Sequence, residues 1–453
     1  MSDRYDRWFL LRWGDRGDLF AFALRGLFGL ACLRLITVIY AGLSAIHGDF
    51  FQTLPGPYAE VLNVALWDSP DLVNPHSFHR HSYGYGPTQY LTLFPIVFLG
   101  SYYEIALVLL FVYIPIVVGL PYLLWSIGSK TCDGLRRQHW NGLALIGSAV
   151  FMFGPLHQAV IQREFEVVQL LLLVLAAYFL VSNRESLAAI FLGYIALFKY
   201  WPLAFSGYLF LTRRWFALVV MLSTVTAVLL IAHLVFDLAY FPFASVAGRA
   251  SQFGRLSWGV GDGQQFCVVA TGTAVSLRAG LCAIQSGASW FSAATVFWVL
   301  LIASCAVCLR SFIAIERCKV SRNSTAGQWR TILEFSLVLL AVVTSFHAHY
   351  YYLIVLLIPL TALASRYFFG GVAGNGVGRI IVVVAYILLS AFVLPVSVSS
   401  WLVGFDSWSF YLTNGIYAYG LVALGALLIW EYAQLASGQA CLLYTSPSPR
   451  DGL

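Results

Sequence analysis

Charge is what this chain has least of. Only 10% of its 453 residues are Asp, Glu, Lys or Arg and 60% are hydrophobic, against about 25% charged in an ordinary soluble domain. A water-solvated globular fold is excluded, because so few charges cannot cover its surface. The net charge of +6 is what the Arg/Lys loops on one side of a membrane protein supply, so it does not point to nucleic acid. The eight cysteines have no metal-ligand spacing. Cys305 and Cys308 form a CxxC inside an apolar run and read as two small buried residues. Cys267 and Cys282 share one outer loop, which allows a disulfide without requiring it. No repeat of fixed period occurs. Gly261 and Gly263 in GVGDGQQF make no phosphate-binding fingerprint, because no strand precedes them. The N-terminus mixes Arg4, Arg7, Arg12 and Arg16 with Asp3, Asp6, Asp15 and Asp18 and does not resemble a cleavable signal.

What is abundant is apolar sequence in runs of about 20 residues, the length that crosses a bilayer. The fold class is all-α, a polytopic transmembrane helical protein of about 11 to 13 membrane segments. Residues 1–19 read as a cytoplasmic N-terminus, residues 20–440 as one transmembrane domain, and 47–88 and 239–288 as its extracytoplasmic loops. Residues 57–67 are amphipathic and read as a short surface helix. Apolar sequence at 89–100 and 105–127 is followed by Arg136 and Arg137; two full spans would leave these arginines outside, so one piece must be broken or re-entrant. Spans are expected at 142–160 and 170–181. The stretch LAAIFLGYIALFKYWPLAFSGYLFLTRRW carries arginine at both sides and a Lys-Tyr-Trp-Pro break, which predicts two half-helices with Lys199 at the tip. Further spans are expected at 216–238, 291–309, 332–346, 352–364, 380–399 and 411–430, with a basic loop between the second and third of these carrying Arg310, Arg317, Lys319, Arg322 and Arg330. The ending CLLYTSPSPRDGL, residues 441–453, resembles translated sequencing adaptor and reads as a non-native tail.

Against this apolar background the stretch from His47 to Pro95 stands out. It holds Asp49, Glu60, Asp68, Asp71 and four histidines, while the whole chain has 20 acidic residues. Asp49 lies just beyond the first span. A carboxylate near an apolar surface has a raised pKa and suits a general base; it serves equally as a hydrated loop carboxylate or helix cap. Lys199 is one of three lysines and interrupts an apolar stretch, where charge marks substrate paths or snorkels to an interface. Arg163, Glu164 and Glu166 form a charged knot between two spans, suited to clamping a phosphate or to an internal ion pair. His347 and His349 end a later span beside Tyr350, Tyr351 and Tyr352, which read as an aromatic belt. His76, His79 and His81 are too loosely spaced for a zinc site.

Taken in order, these segments resemble one family. HGDFFQTLPGPYAEVLNVALW is similar to the opening loop of the polyprenol-phosphate-mannose-dependent α-1,2-mannosyltransferases (glycosyltransferase family 87), membrane enzymes of the GT-C class. YGYGPTQYLTLFPI resembles the Tyr-Pro-Pro-Leu segment, with Gly86-Pro87 replacing two prolines. REFEVVQLLLLVLAAYFL takes the place of a Gly-Gln-x-Asn segment but departs from it. The Lys199 stretch shares the family's Gly-rich helix, lysine, proline and closing Arg-Arg, and TSFHAHYYYLIVLLIPL resembles its Ser-x-x-His-Tyr segment.

The resemblance implies a GT-C-like fold and an inverting transfer of a sugar, mannose in this family, from a polyprenyl-phosphate donor to a lipid-linked or cell-envelope glycan. The site then lies on the extracytoplasmic face of a bacterial cytoplasmic membrane. Asp49 would be the base, Lys199, Arg163 and His349 would hold the donor phosphate, and His347, Glu166, Tyr85 and Tyr350 would line the substrate. No cofactor or metal is implied, since a phosphate leaves as a stable anion and needs positive charge rather than a general acid. The partners are the bilayer, the donor and the glycan acceptor. Two other readings remain. One is a transporter or flippase of lipid-linked sugars, which would also use broken helices but lacks support from repeats. The other is a GT-C enzyme using a different polyprenyl-phosphate sugar.

Overall fold

The computed structural model describes residues 3–47, 88, 91–92, 102–161, 165–199, 201–236, 267, 276–287, 292–318, 321–345, 350–370, 376–390, 411 and 414–437. No strand occurs among them. In hydrocarbon a backbone must satisfy its own polar groups, and a helix does this within one segment. The helices in chain order are α1 (Asp3–His47), α2 (Tyr102–Thr131), α3 (Asp133–Arg137), α4 (His139–Phe151), α5 (Gly154–Ile161), α6 (Glu166–Val181) and α7 (Glu185–Lys199). A 3-10 turn, Trp201–Leu203, leads to α8 (Ala204–Leu211), α9 (Trp215–Phe236), α10 (Leu277–Gly287), α11 (Ala293–Cys318) and α12 (Thr325–Ser345). A second 3-10 segment, Tyr350–Leu356, precedes α13 (Leu357–Phe369), α14 (Gly376–Ser390) and α15 (Ile416–Ala436).

Seven of the described helical stretches are long and apolar enough to cross a membrane: Phe20–Leu43, Leu107–Thr131, Trp215–Ala232, Ala293–Glu316, Thr325–Thr344, Tyr352–Phe369 and Ile416–Ala436. One bent pair, α4 with α5, and four shorter apolar helices accompany them. The all-α polytopic expectation holds. Several boundaries differ from the apolar windows. The stretch expected as one span over 142–160 is two helices meeting at 56°, with Pro155 in the first turn of the second, where a missing N–H costs least. The basic loop is shorter than expected, because α11 runs on through Arg310 and Arg317 to Cys318 and Arg330 already lies in α12. The backbone shows no break at residue 19, since α1 starts at Asp3.

The core lies around α12 and α13, whose spans are 72% and 83% buried, whereas the span in α11 is 11% buried and faces lipid. This corrects the reading of the CxxC: Cys305 is exposed on α11 and Cys308 half-buried, because a helix on the rim turns small residues outward as readily as inward. Cys267 and Cys282 are joined in a disulfide, Cα to Cα 5.5 Å, which ties Cys267 to α10. The open alternative is thereby closed.

Side-chain bonds gather one end of the helices. Arg214, just before α9, donates to Glu185 at the start of α7 (2.8 Å) and to Thr331 in the first turns of α12 (3.1 Å). Arg322 reaches Glu185 (3.2 Å) and the carbonyl of Thr212 (2.9 Å). Arg330 pairs with Glu334 (2.7 Å) and with Glu316 at the end of α11. Tyr432 in α15 donates to Glu334 (3.0 Å), and Arg366 at the end of α13 pairs with Glu431 (2.8 Å). Arg379 in α14 donates to the carbonyl of Tyr367 (2.8 Å). Helices α7, α9, α12 and α14 therefore start at this basic end, and α11, α13 and α15 finish there.

The Glu185–Arg214 pair shows how the Lys199 stretch folds. Its two ends, 29 residues apart, stand side by side, so the chain goes up in α7, turns at Trp201–Leu203 and returns in α8. Helix α9 then runs alongside α7 in the same direction. The two touch where Gly193 offers no side chain: an added methyl would lie 2.6 Å from the carbonyl oxygen of Met221. The hairpin of two half-helices expected from the Lys-Tyr-Trp-Pro break is present.

Arg214→Met leaves a carboxylate without its buried partner and should lower stability by about 3 kcal/mol, read as a drop in thermal midpoint in detergent. Arg322→Ala removes a guanidinium that is 48% exposed and should cost about 1 kcal/mol or less. Equal drops would show that Arg214 does not close the hairpin.

Candidate active site at the interrupted end of the bundle

Several helices also break or end away from the basic end. Helix α1 finishes at His47, α5 at Ile161, α7 at Lys199, α12 at Ser345 and α14 at Ser390, while α2, α6, α13 and α15 begin there. The end of α7 meets the start of α6 through Phe198 and Phe165, whose rings stack 4.8 Å apart. Lys199 follows Phe198 as the last residue of α7, and Glu166 follows Phe165 as the first of α6. With 15 residues in α7 and 22 in α9, at about 1.5 Å per residue, α7 ends about 10 Å short of the far end of its parallel neighbour. Lys199 therefore ends a helix that stops short of the far end of its neighbour. Pro202 stops the helix from continuing.

The second interruption is the 3-10 segment Tyr350–Leu356, which bridges α12 and α13. Its first residue, Tyr350, is buried and donates to the carbonyl of Ser390 at the end of α14 (2.7 Å). Burial pushes its hydroxyl well above the ordinary tyrosine value, so Tyr350 stays a neutral donor. Tyr411 stands edge-on to it at 6.0 Å and donates to the carbonyl of Leu388 (2.7 Å). The third interruption is the α4–α5 bend, where His157 Nε2 lies 2.6 Å from the carbonyl of Phe151. A carbonyl only accepts, so Nε2 carries the proton. The end of the first loop is also anchored here: Thr88 donates to the carbonyl of Tyr194 in α7 (2.8 Å), and Thr92 lies 2.7 Å from the Tyr194 hydroxyl.

Of the residues expected in the site, Glu166 and Tyr350 are described in full and Lys199 by its backbone. Asp49, Tyr85, Arg163, His347 and His349 lie outside the described residues, as do His76, His79 and His81. In the sequence Asp49 follows the end of α1 by two positions, Arg163 lies between α5 and α6, and the two histidines lie between α12 and Tyr350. Glu166 is buried. Tyr350, expected to line the substrate, has its hydroxyl committed to Ser390. Sequence reasoning passed over Thr88, Thr92, His157, Gln169, Tyr194 and Trp201. Their common signal is a polar atom within an apolar run. Gln169, four residues after Phe165 and so on the same face of α6, is buried, and its Nε2 has no hydrogen-bond partner among the described residues; Trp201 Nε1 has none either. Among the described residues no three His, Cys, Asp or Glu side chains gather as metal ligands.

A helical membrane protein stitched at one end and broken at the other has an architecture that membrane enzymes and transporters share. A model of glycosyltransferase family 87 matches residues 83–345, more than half of the chain, from the YGYGP segment to the end of α12. The chain belongs to that family and is a membrane glycosyltransferase. No curated protein and no solved structure matches it. Family membership decides against the transporter reading.

A buried amide without a partner is a cost that a thioether of similar length removes. Gln169→Met should raise the thermal midpoint of the unliganded protein, equivalent to about 1 kcal/mol or more. A lowered midpoint would mean that the amide is paired.

Proposed function

We propose that the chain transfers mannose from a polyprenyl-phosphate donor to a lipid-linked or cell-envelope glycan, with inversion, on the extracytoplasmic face of a bacterial cytoplasmic membrane. Asp49 takes the proton of the acceptor hydroxyl as its oxygen attacks the anomeric carbon from the face opposite the phosphate. The bond from that carbon to the phosphate oxygen breaks, and its electron pair leaves with polyprenyl phosphate. No proton is needed on the leaving group, which is already an anion. Lys199, Arg163 and His349 supply the positive charge that receives it, and His347, Glu166 and Tyr85 line the sugar.

The observation that carries this reading is the α7 tip. A lysine ends a helix whose foot is pinned by Glu185 and Arg214, about 10 Å inside the end of α9 by helix rise, where a phosphate attached to a membrane-buried chain can arrive sideways. The orientation is supported twice. Arginines cluster at the opposite end, as they do on cytoplasmic faces. The Cys267–Cys282 disulfide precedes α11, away from that end, and disulfides belong to oxidising compartments.

Transfer is tested in nanodiscs with a panel of radiolabelled polyprenyl-phosphate sugars and a membrane lipid extract as acceptor. Mannosyl donor should be used and other sugars refused; a pentose or aminosugar used instead would change the donor and keep the class. Asp49→Asn should express normally and lose transfer by about a thousand-fold, the scale of a general base. Near-normal turnover would remove Asp49 from that role. Lys199→Ala should weaken donor binding by about ten-fold or more, the worth of one charge-assisted bond. An unchanged donor affinity would make Lys199 a snorkelling residue.

A further inference from the structure

Among the described residues, Thr88 and Thr92 of the segment that closes the first loop both bond to Tyr194 of α7. Thr88 follows Gly86-Pro87 and is fully buried. Its Oγ1 donates to the main-chain carbonyl of Tyr194, 106 positions away, at 2.8 Å. Thr92 Oγ1 donates to the carbonyl of Thr88 at 2.7 Å. A threonine hydroxyl has one hydrogen, so in the 2.7 Å pair between Thr92 Oγ1 and Tyr194 Oη the tyrosine is the donor. The three bonds close a ring: Tyr194 hydroxyl to Thr92, Thr92 to the Thr88 carbonyl, Thr88 hydroxyl to the Tyr194 carbonyl. Each hydroxyl hydrogen has a carbonyl or hydroxyl oxygen to go to. Apolar packing alone would have been served by valine and phenylalanine at the same positions.

Tyr194 lies five residues before Lys199 on α7, and Thr88 ends the stretch that began at His47 with α1. The ring therefore joins the far end of the Asp49 loop to the helix that presents Lys199. We propose that Tyr194 is a positioning residue for glycosyl transfer, which acts through Thr88 and Thr92 to hold the end of the first loop in one frame with the α7 tip. It contributes no group to the substrate. It sets where the loop arrives, and misplacement of reacting groups by about 1 Å costs about a hundred-fold in rate. The inference rests on the family's glycosyl transfer and takes only its assay donor from the proposed function.

Tyr194→Phe keeps the aromatic side chain and leaves no orphan donor, because Thr92 still donates to Thr88. Thr92→Val keeps the shape and removes the hydroxyl, and Thr92→Ser restores it. With radiolabelled mannosyl-phosphoryl-polyprenol and a membrane lipid extract, Tyr194→Phe and Thr92→Val should each lower kcat by about ten-fold or more with donor KM little changed. The double variant should be no slower than Thr92→Val alone, because Thr92→Val already removes the bond that Tyr194→Phe removes, and Thr92→Ser should turn over near the wild-type rate. Hydrogen–deuterium exchange at residues 84–92 should quicken in the Phe and Val variants and stay unchanged around Glu185 and Arg214. Unchanged exchange at 84–92 would show that the ring holds nothing. Quickened exchange with unaltered kcat, or a change in KM alone, would make the ring a purely structural fastening and overturn the positioning role. A wild type silent with every donor would remove the proposed donor, and exchange would then decide alone whether the ring holds the segment.

Discussion

Glu185 and Arg214 stand 2.8 Å apart at the two feet of a hairpin whose tip carries Lys199, and the position of that tip depends on the pairing. A short helix such as α7 has too little length to fix its own depth in a bilayer. Its foot is fixed instead, by a carboxylate that accepts from Arg214 and Arg322 and by an Arg214 that also reaches Thr331 on α12. Charges withdrawn from water are costly unless paired with good geometry. At this end they are paired across α7, α9, α11, α12, α13 and α15, so slipping one helix would strand several charges at once. The network thereby sets helix register, which apolar packing alone specifies weakly.

A rigid basic end lets the opposite end be irregular. Each break there frees backbone carbonyls or brings hydroxyls out of water, and the described residues answer them with one another. His157 faces Phe151 O, Tyr386 donates to Ala149 O, Tyr350 to Ser390 O, Tyr411 to Leu388 O and Thr88 to Tyr194 O. Tyrosine suits this work because its ring packs as an apolar body while its hydroxyl reaches a carbonyl. The tyrosines that read as an interfacial belt thus include, in Tyr350, an internal fastening. An end built of short helix ends whose freed carbonyls are answered in this way brings polar groups together without leaving the backbone open to hydrocarbon.

Much of this was legible beforehand, for identifiable reasons. Low charge and long apolar runs left no fold but a helical membrane bundle. The Lys-Tyr-Trp-Pro break with arginine at both sides required a hairpin, since no straight span reconciles those charges with one side of a membrane. The order of the YGYGP, REFEVVQ, Lys199 and HAHYYY segments carried the resemblance to glycosyltransferase family 87, and the family match runs from the first of these to the end of α12. Less was legible in the α4–α5 stretch, where hydropathy sums over a bend without registering it. Arg330 looked like a loop residue because composition cannot tell an exposed loop from a helix end with paired charges.

The sequence by itself determined the class, the rough set of membrane segments and the polar positions worth attention, because all three follow from local composition and spacing. Which polar groups meet was decided by tertiary structure alone. Glu185 with Arg214, Cys267 with Cys282, and Thr88 and Thr92 with Tyr194 are separated by up to 106 positions. A hydrogen bond forms at about 3 Å, a distance that only the packing of whole helices can set.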